Sequence, residues 1–130
     1  MSSGLDFELA RFFNLVVDEI ADGTCRGHVD VDLARHANPN GVVHGAVLFA
    51  LVDTTMGAAT MSALDGRPCA SIDVQLRFLR PAVGGVVRAE TRVLKAGRRI
   101  VHLDSSVTDD GGRLVATASG SFAVIGDVSR

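Results

Sequence analysis

The chain has 130 residues, of which 47% are hydrophobic, and it carries a formal net charge of −2. This length and composition predict a single domain, residues 1–130, built around one hydrophobic core. Because the thirteen Lys and Arg residues are scattered and neither Trp nor Tyr is present, the sequence offers no basic or base-stacking face and argues against a nucleic-acid partner.

Cysteine usage and the N-terminal residues predict a cytoplasmic, reduced protein without a metal or cofactor. Cys25 and Cys69 form no CxxC motif. Two residues separate Cys25 from His28, but no second pair of ligands accompanies them, so a zinc site is not predicted. Residues 1–13 also lack the basic region, apolar run and cleavage signal of an exported protein.

The first predicted elements are a short helix and a hairpin. Four apolar residues recur at helical spacing and predict an amphipathic helix that packs on the domain: Leu5, Leu9, Phe12 and Phe13. Residues 14–20 and 24–33 then alternate in strand fashion around the turn signal Ala21-Asp22-Gly23. A polar loop is expected over residues 34–41.

A long apolar helix is predicted next, within residues 36–64. Its apolar residues occupy nearly every face, so the helix must be enclosed. The one charged side chain between Arg35 and Asp65 is Asp53, and such a carboxylate is costly to bury unless a donor satisfies it or it has a function. A membrane span is the competing interpretation, but Asp53 at mid-span and the lack of a basic flank argue against it.

Four strands are predicted in the second half of the chain. Glycine, proline and aspartate turns separate segments 69–79, 86–94, 99–109 and 113–125. In the first of these strands, one face collects the apolar residues Ile72, Val74, Leu76 and Phe78, which is typical of a half-buried strand. The short turns predict an antiparallel meander of four strands, which the N-terminal hairpin extends.

One apolar helix and one long sheet together predict the fold class. A sheet with one apolar face needs a cover, and a helix that is apolar on all sides needs enclosure. The sheet should therefore wrap around the helix in an α+β hotdog architecture. It can cover only part of the helix, which predicts that a second subunit covers the rest.

Gly45 and Asp53 are the candidate catalytic residues of this helix. Gly45 is expected in the first turn, where backbone N–H groups lack acceptors and the helix dipole favours an oxyanion. Eight residues, or about 12 Å of helix, separate it from Asp53, which is too far for both to act on one carbonyl. If both act, a twofold axis near Phe49 must pair Gly45 of one subunit with Asp53 of another in a homodimer with two composite sites.

The same residues resemble a known family. Residues 38–45, NPNGVVHG, followed by Leu51-Val52-Asp53, resemble the N…G…HGG…L.D signature of hotdog-fold acyl-CoA thioesterases of the phenylacetate-degradation type. Residues 76–81, LRFLRP, and residues 94–98, LKAGR, resemble the "F.RP" and "K.GR" segments of that family. The likeness covers residues 36–125 and departs from the pattern at Ala46, where the family has a second glycine.

The resemblance implies hydrolysis of an acyl-CoA to a carboxylic acid and free coenzyme A, which is part of the substrate rather than a cofactor. Asp53 would be the nucleophile or the general base, and Ser71 across the subunit interface would help to orient the water. The Gly45 N–H would polarise the thioester carbonyl. Asn38 and His44 would position the thioester and the loop, or would only fix the loop. A thioester is already reactive, so one carboxylate and one oxyanion donor suffice.

Substrate contacts follow from the same resemblance. The phosphates of coenzyme A would meet basic residues at strand ends and turns, namely Arg80, Lys95, Arg98 and Arg99. The acyl group would contact Phe49 and Met56 on the exposed part of the helix. Solvated turns and core packing are the alternatives. The expected assembly is a dimer of dimers, a homotetramer, without a membrane partner.

Two other functions stay open. A hotdog enoyl-CoA hydratase shares a passing likeness at Asn38-Pro39 and His44, although here Ala37 precedes Asn38 and the carboxylate lies down the helix. A non-catalytic acyl-CoA-binding module is the other, and the retention of Asp53 together with Gly45 argues against it.

Overall fold

The computed structural model describes residues 5–126. Its elements in chain order are α1 (Glu8–Phe12), β1 (Leu15–Ala21), β2 (Thr24–Asp30), α2 (Leu33–His36), α3 (Gly45–Ala63), β3 (Cys69–Phe78), β4 (Val86–Ala96), β5 (Ile100–Thr108) and β6 (Leu114–Val124). Within the described residues the six strands form one antiparallel sheet. The sheet packs on α3, so the predicted α+β hotdog architecture is confirmed.

The N-terminal elements lie where the sequence predicts them. β1 and β2 pair around Asp22 and Gly23. These two residues have φ angles of 40° and 86°, the left-handed conformation that a tight hairpin turn requires. α1 falls inside the predicted helical segment but has five residues. The predicted polar loop over residues 34–41 is partly helical, because α2 extends to His36 and buries it.

The predicted four-strand meander is wrong at β3. The strand order is β1-β2-β4-β5-β6-β3, so β3 pairs with β6 and β4 pairs with β2. Residues 79–85 carry the chain past the start of α3, where the Val43 N–H donates to Ala82 O and the Val31 N–H donates to Gly85 O, both at 2.8 Å. An apolar alternation identifies a strand, but it does not specify its neighbour when the connection is not a hairpin.

A bulge changes the register of β3. Pairing with β6 shifts between Ser71 and Asp73, so Ser71 lies opposite the buried Phe122 and Ile72 is left out of the ladder. The prediction that Ile72 belongs to the buried face is therefore wrong, and its side chain is 54% exposed. Phe78 at the end of this edge strand is also 54% exposed.

Only one face of α3 packs against the sheet. By length and hydropathy alone it could cross a bilayer, but half of it is buried inside the fold. A chain of buried hydroxyls fixes it to the sheet, because Thr55 Oγ1 lies 2.9 Å from Thr91 Oγ1, which lies 2.8 Å from Ser105 Oγ. The opposite face of α3 stays open, and Phe49, about one turn into the helix, is 42% exposed.

Candidate active site

A cavity of about 960 Å³ runs along the open face of α3. Its floor is a stripe of the helix: Gly45, Ala46, Phe49, Ala50, Asp53, Thr54, Gly57, Ala58 and Met61. One wall comes from β3 and β6: Cys69, Ala70, Ser71, Phe78 and Phe122. The other wall comes from the N-terminal segment: Leu5, Phe7, Leu9 and Phe13. The cavity is therefore apolar apart from a few polar groups, as ligand sites commonly are.

Asp53 is the carboxyl among these lining residues. Its Oδ1 atom is buried and has no hydrogen-bond partner within residues 5–126. Burial raises the pKa of this carboxyl, because the charged form loses hydration. The described residues therefore do not provide the donor to Asp53 Oδ1 that a purely structural carboxylate would require. A carboxylate with raised proton affinity is suited to accept a proton from a reacting group.

Gly45 is the first residue of α3 and lies on the same cavity. The Ala46 N–H donates to His44 Nδ1 at 2.9 Å, and the Val47 N–H donates to His44 O at 3.0 Å. In the described part of the chain, the Gly45 N–H is left without an acceptor. A Cβ at this position would lie 3.1 Å from Phe78 Cζ, so a larger residue would have to displace that ring. The helix start therefore offers one free donor beneath an aromatic ring.

His44 and Asn38 hold the backbone that leads into α3. His44 Nδ1 accepts a hydrogen bond as the N-cap of the helix, so the proton of the neutral ring is on Nε2. Asn38 Oδ1 accepts from the Asn40 N–H at 2.9 Å and from the Val42 N–H at 3.3 Å. Asn38 lines a second cavity of about 570 Å³, which meets the first at Gly45.

Ser71 and Cys69 form the polar part of the β3 wall. The bulge after Ser71 turns this residue towards α3, which brings it into the cavity with Asp53. Cys69 lies two residues earlier on the same face, and its pKa is raised by burial and by the charge of Asp53. Cys69 and Phe78 line the cavity although neither is among the site residues predicted from the sequence. Cys69 lies two residues before Ser71, and this alternate spacing along a strand was the available sequence signal that the two share a face.

Met56 does not belong to the open face of α3. It is fully buried, and a Cβ at Gly120 of β6 would lie 2.6 Å from its Sδ atom. The prediction that Met56 lies on the exposed part of the helix is therefore wrong, because this side chain fills the core between helix and sheet. Phe49, the other predicted acyl contact, does lie in the cavity.

The predicted phosphate-binding residues lie at opposite ends of the chain's sheet. The Arg80 N–H donates to Val115 O, whereas Arg99, which follows Arg98, accepts from the Val124 N–H through its carbonyl at 2.9 Å. Val115 and Val124 are nine residues apart on β6, which is about 30 Å at about 3.3 Å per residue. One chain therefore does not bring Arg80 together with Arg98 and the nearby Lys95, although Arg80 does line the second cavity.

Within the described residues, no group of three His, Cys, Asp or Glu side chains is placed to hold a metal ion. Cys25 is 1% exposed inside the core, and burial and the Asp18 charge raise its pKa to about 12. His28 lies on the other face of β2, where its Nδ1 is 2.8 Å from Asp18 Oδ2. The two side chains therefore cannot bind the same metal ion.

This chain is similar in sequence to known proteins. The sequence model of the thioesterase superfamily matches residues 40–116. A Halobacterium salinarum protein named as a candidate esterase is 32% identical over 133 residues, which cover 94% of this chain and 87% of that protein. Mouse acyl-coenzyme A thioesterase 13 is 29% identical over 84 residues, which cover 63% of this chain and 60% of that protein.

A solved structure shows the same fold. The E. coli PaaI protein from the phenylacetic acid degradation operon superposes with a TM-score of 0.85 at 24% identity, covering 91% of this chain and 84% of that one. At this identity the likeness concerns the fold alone.

Proposed function

Because this chain belongs to the thioesterase superfamily and is a thioester hydrolase, we propose that it hydrolyses acyl-CoA thioesters with Asp53 as the general base. The family membership confirms the resemblance found in the sequence. The observation that carries the proposal is the unpartnered Asp53 oxygen in an apolar cavity that also contains Gly45 and Ser71. The relative named acyl-coenzyme A thioesterase 13 supports acyl-CoA as the substrate class.

The proposed reaction uses one carboxylate and one backbone donor. Asp53 removes a proton from water while the water oxygen bonds to the thioester carbon, and Ser71 orients that water. The Gly45 N–H donates to the carbonyl oxygen as it becomes negative. The C–S bond then breaks, and the proton passes from Asp53 to the departing thiolate, which leaves a carboxylic acid and free coenzyme A. A pKa raised by burial favours the base role at neutral pH.

In this proposal the site is shared between two chains. Gly45 and Asp53 are about 12 Å apart along α3, and Phe49 at their midpoint is 42% exposed. Beside this open face, the edge strand β3 exposes Ile72 and Phe78. A second copy that extends the sheet along β3 and packs its α3 antiparallel around Phe49 would cover both surfaces. It would also place its Gly45 beside Asp53.

The twofold arrangement also reconciles the basic residues with one substrate. It brings the end of one chain that carries Arg80 to the end of the other that carries Lys95 and Arg98, so both chains contribute to holding the phosphates of coenzyme A. The proposed minimum unit is a homodimer, and two dimers form the tetramer. The unpaired Cys25 and Cys69 support a reducing cytoplasmic location.

The experiment that tests the function is release of free thiol from a panel of acyl-CoAs. Asp53→Asn is expected to lower kcat about a hundredfold or more, as is typical for loss of a general base, without loss of the fold. Asp65→Asn is the matched control, because Asp65 is an exposed carboxylate just beyond α3. An undiminished kcat in Asp53→Asn would remove the mechanism. Hydration of an enoyl-CoA without thiol release would favour the hydratase, and binding without turnover would favour the binding module.

A single turnover in ¹⁸O-water separates the base role from a nucleophilic role. A general base delivers the label directly to the product acid. A nucleophile forms an anhydride, and attack of water on the Asp53 carbonyl carbon of that anhydride leaves label in the peptide that contains Asp53. We expect an unlabelled peptide by mass spectrometry, and a labelled one would contradict the base role.

A further inference from the structure

The N-terminal segment, residues 5–13, forms the cavity wall on the side opposite β3. Phe7, Leu9 and Phe13 line the cavity from this side, and none of these side chains carries a polar atom. The segment leads directly into β1, which is one edge of the sheet, whereas β3 is the other edge. The two walls therefore flank α3 from opposite sides.

The reacting groups lie towards the β3 wall. Ser71 projects from this wall, and Cys69 lies close enough to Asp53 to feel its charge. A thioester carbon placed at Asp53 is therefore near β3. An acyl chain attached to it has the apolar floor of α3 beneath it and the N-terminal segment on its far side.

His36 fixes the N-terminal segment although it is not part of the cavity. It is 2% exposed, and its Nε2–H donates to Phe12 O at 2.8 Å while its Nδ1 accepts from the Asp32 N–H at 3.1 Å. The Phe13 ring packs on it with centroids 5.8 Å apart. Its own carbonyl accepts from the His44 N–H at 2.8 Å. One buried residue thus connects α1 to the backbone just before Gly45.

We propose that residues 5–13 select the acyl group through apolar contact, and that His36 is the positioning residue that holds this wall in place. The proposal rests on the proposed thioesterase function. It also defines the substrate class, which is an acyl-CoA whose distal acyl part is uncharged and apolar. A charged group at this wall would lose its hydration without a polar partner on Phe7, Leu9 or Phe13.

The test compares kcat/KM for straight-chain acyl-CoAs from acetyl to dodecanoyl. Leu9→Ala removes apolar surface from the wall, so kcat/KM for the long chains is expected to fall about fivefold to tenfold, while acetyl-CoA stays within about twofold. Leu114→Ala is the matched control, because Leu114 is a partly exposed leucine at the start of β6 outside the cavity lining. It should leave every chain length unchanged.

His36→Phe tests the positioning role without touching the cavity. Phenylalanine keeps an aromatic ring beside Phe13 but removes the hydrogen bond to Phe12 O. We expect KM to rise for the long chains with kcat unchanged, in the same direction as in Leu9→Ala. His36→Gln, which can donate to Phe12 O again, should restore part of the preference.

An equal change at every acyl length in Leu9→Ala and His36→Phe would overturn the proposal, because a purely structural role affects all substrates alike. Failure of the proposed function is a different result, in which the wild type releases no thiol from any acyl-CoA. Calorimetry with non-hydrolysable thioether analogues then still decides the matter. Weaker binding of only the long analogues by Leu9→Ala supports the wall, and unchanged binding overturns it.

Discussion

Asp53 and Asp109 have opposite preferences for charge because their surroundings differ. Asp53 Oδ1 is buried without a partner, and burial raises the pKa of its carboxyl. Asp109 closes the β5–β6 turn by accepting from the Arg113 N–H at 2.9 Å and from the Gly111 N–H at 3.0 Å. The pKa of Asp109 is lowered, first of all by the backbone hydrogen bond from Arg113. Folding therefore makes Asp53 harder to ionise and Asp109 easier to ionise.

Asp53→Asn is expected to raise the melting temperature at pH 7. Because the folded pKa is raised, the wild type loses stability as the pH rises from the unfolded pKa of about 3.9 towards the folded pKa. The amide never ionises, so the variant avoids this loss. The advantage should shrink to nothing below about pH 3.9, and melting curves between pH 3 and pH 8 measure it.

Asp109→Asn is the control of opposite sign. A lowered folded pKa gives stability that is present above the unfolded pKa and is lost as the pH falls through the folded pKa. This variant should therefore melt below the wild type at pH 7 and approach it in acid. If both variants shifted the melting temperature in the same direction at pH 7, the electrostatic account of Asp53 would be contradicted.

Some site residues could be read from the sequence and others could not. Asp53 stands out because it is the one charge in a long apolar run, and Gly45 because it opens the helix. Met56 was misplaced because a helix that is apolar on every face does not show which face meets the sheet. Cys69 could have been found from its two-residue spacing to Ser71, whereas Phe78 enters the cavity through tertiary packing that no local pattern reveals.

At the scale of elements, the two glycines of α3 differ in what surrounds them. At Gly57 an added Cβ would meet Phe122 Cε2 at 3.7 Å, an ordinary contact, whereas at Gly45 it would meet the Phe78 ring at 3.1 Å. Gly57→Ala should therefore stabilise the protein by about 0.5–1 kcal/mol through helix propensity. Gly45→Ala should displace the ring over the oxyanion donor and lower kcat about tenfold.

Chemical denaturation and thiol-release kinetics of the two alanine variants check this contrast. A Gly57→Ala protein less stable than the wild type would show that the open face is tighter than described. An unchanged kcat in Gly45→Ala would show that the helix start does not contact the reacting carbonyl.

The buried hydroxyl chain fixes α3 on the sheet. Thr55 Oγ1 donates to a helix carbonyl, so Thr91 must donate to Thr55 and accept from Ser105. Thr91→Val leaves the buried Ser105 O–H without its acceptor and removes the donor to Thr55 Oγ1, so it should cost about 1–3 kcal/mol of unfolding free energy. Thr91→Ser keeps the hydroxyl and should lose less, as urea denaturation would show. A loss that is equal in both variants would assign the effect to packing instead.

The local sequence predicts some elements and their pairing but not others. Asp22-Gly23 specifies the first hairpin because both residues adopt positive φ angles. The place of β3 beside β6 depends on the crossover at residues 79–85, whose backbone bonds to distant segments. The bulge that directs Ser71 to the cavity likewise has no signature in the alternation around it.

At the scale of the whole molecule, one chain leaves two apolar surfaces uncovered. Phe49 on α3 is 42% exposed, and Ile72 and Phe78 on the sheet edge are each 54% exposed. An unpaired edge next to an open helix face is a surface that a second copy can complete. Composition and periodicity indicated the partial cover of α3, but the sites of contact required the strand order.

The most direct measurement is the activity of mixed dimers of Asp53→Asn and Gly45→Pro chains. Proline is tolerated at the first helical position, where it removes the N–H and adds a ring on the side of Phe78. His44 before it has the extended φ of −66° and ψ of 139° that suit a residue preceding proline. The Gly45→Ala variant accounts for the added Cβ.

Each variant alone should be inactive, and co-expressed chains carrying two tags allow the mixed dimers to be purified. A mixed dimer keeps one complete site out of two, so the account predicts about half of the wild-type thiol release per dimer. Activity no greater than that of the separate variants, in mixed dimers of verified composition, would contradict a site shared between chains.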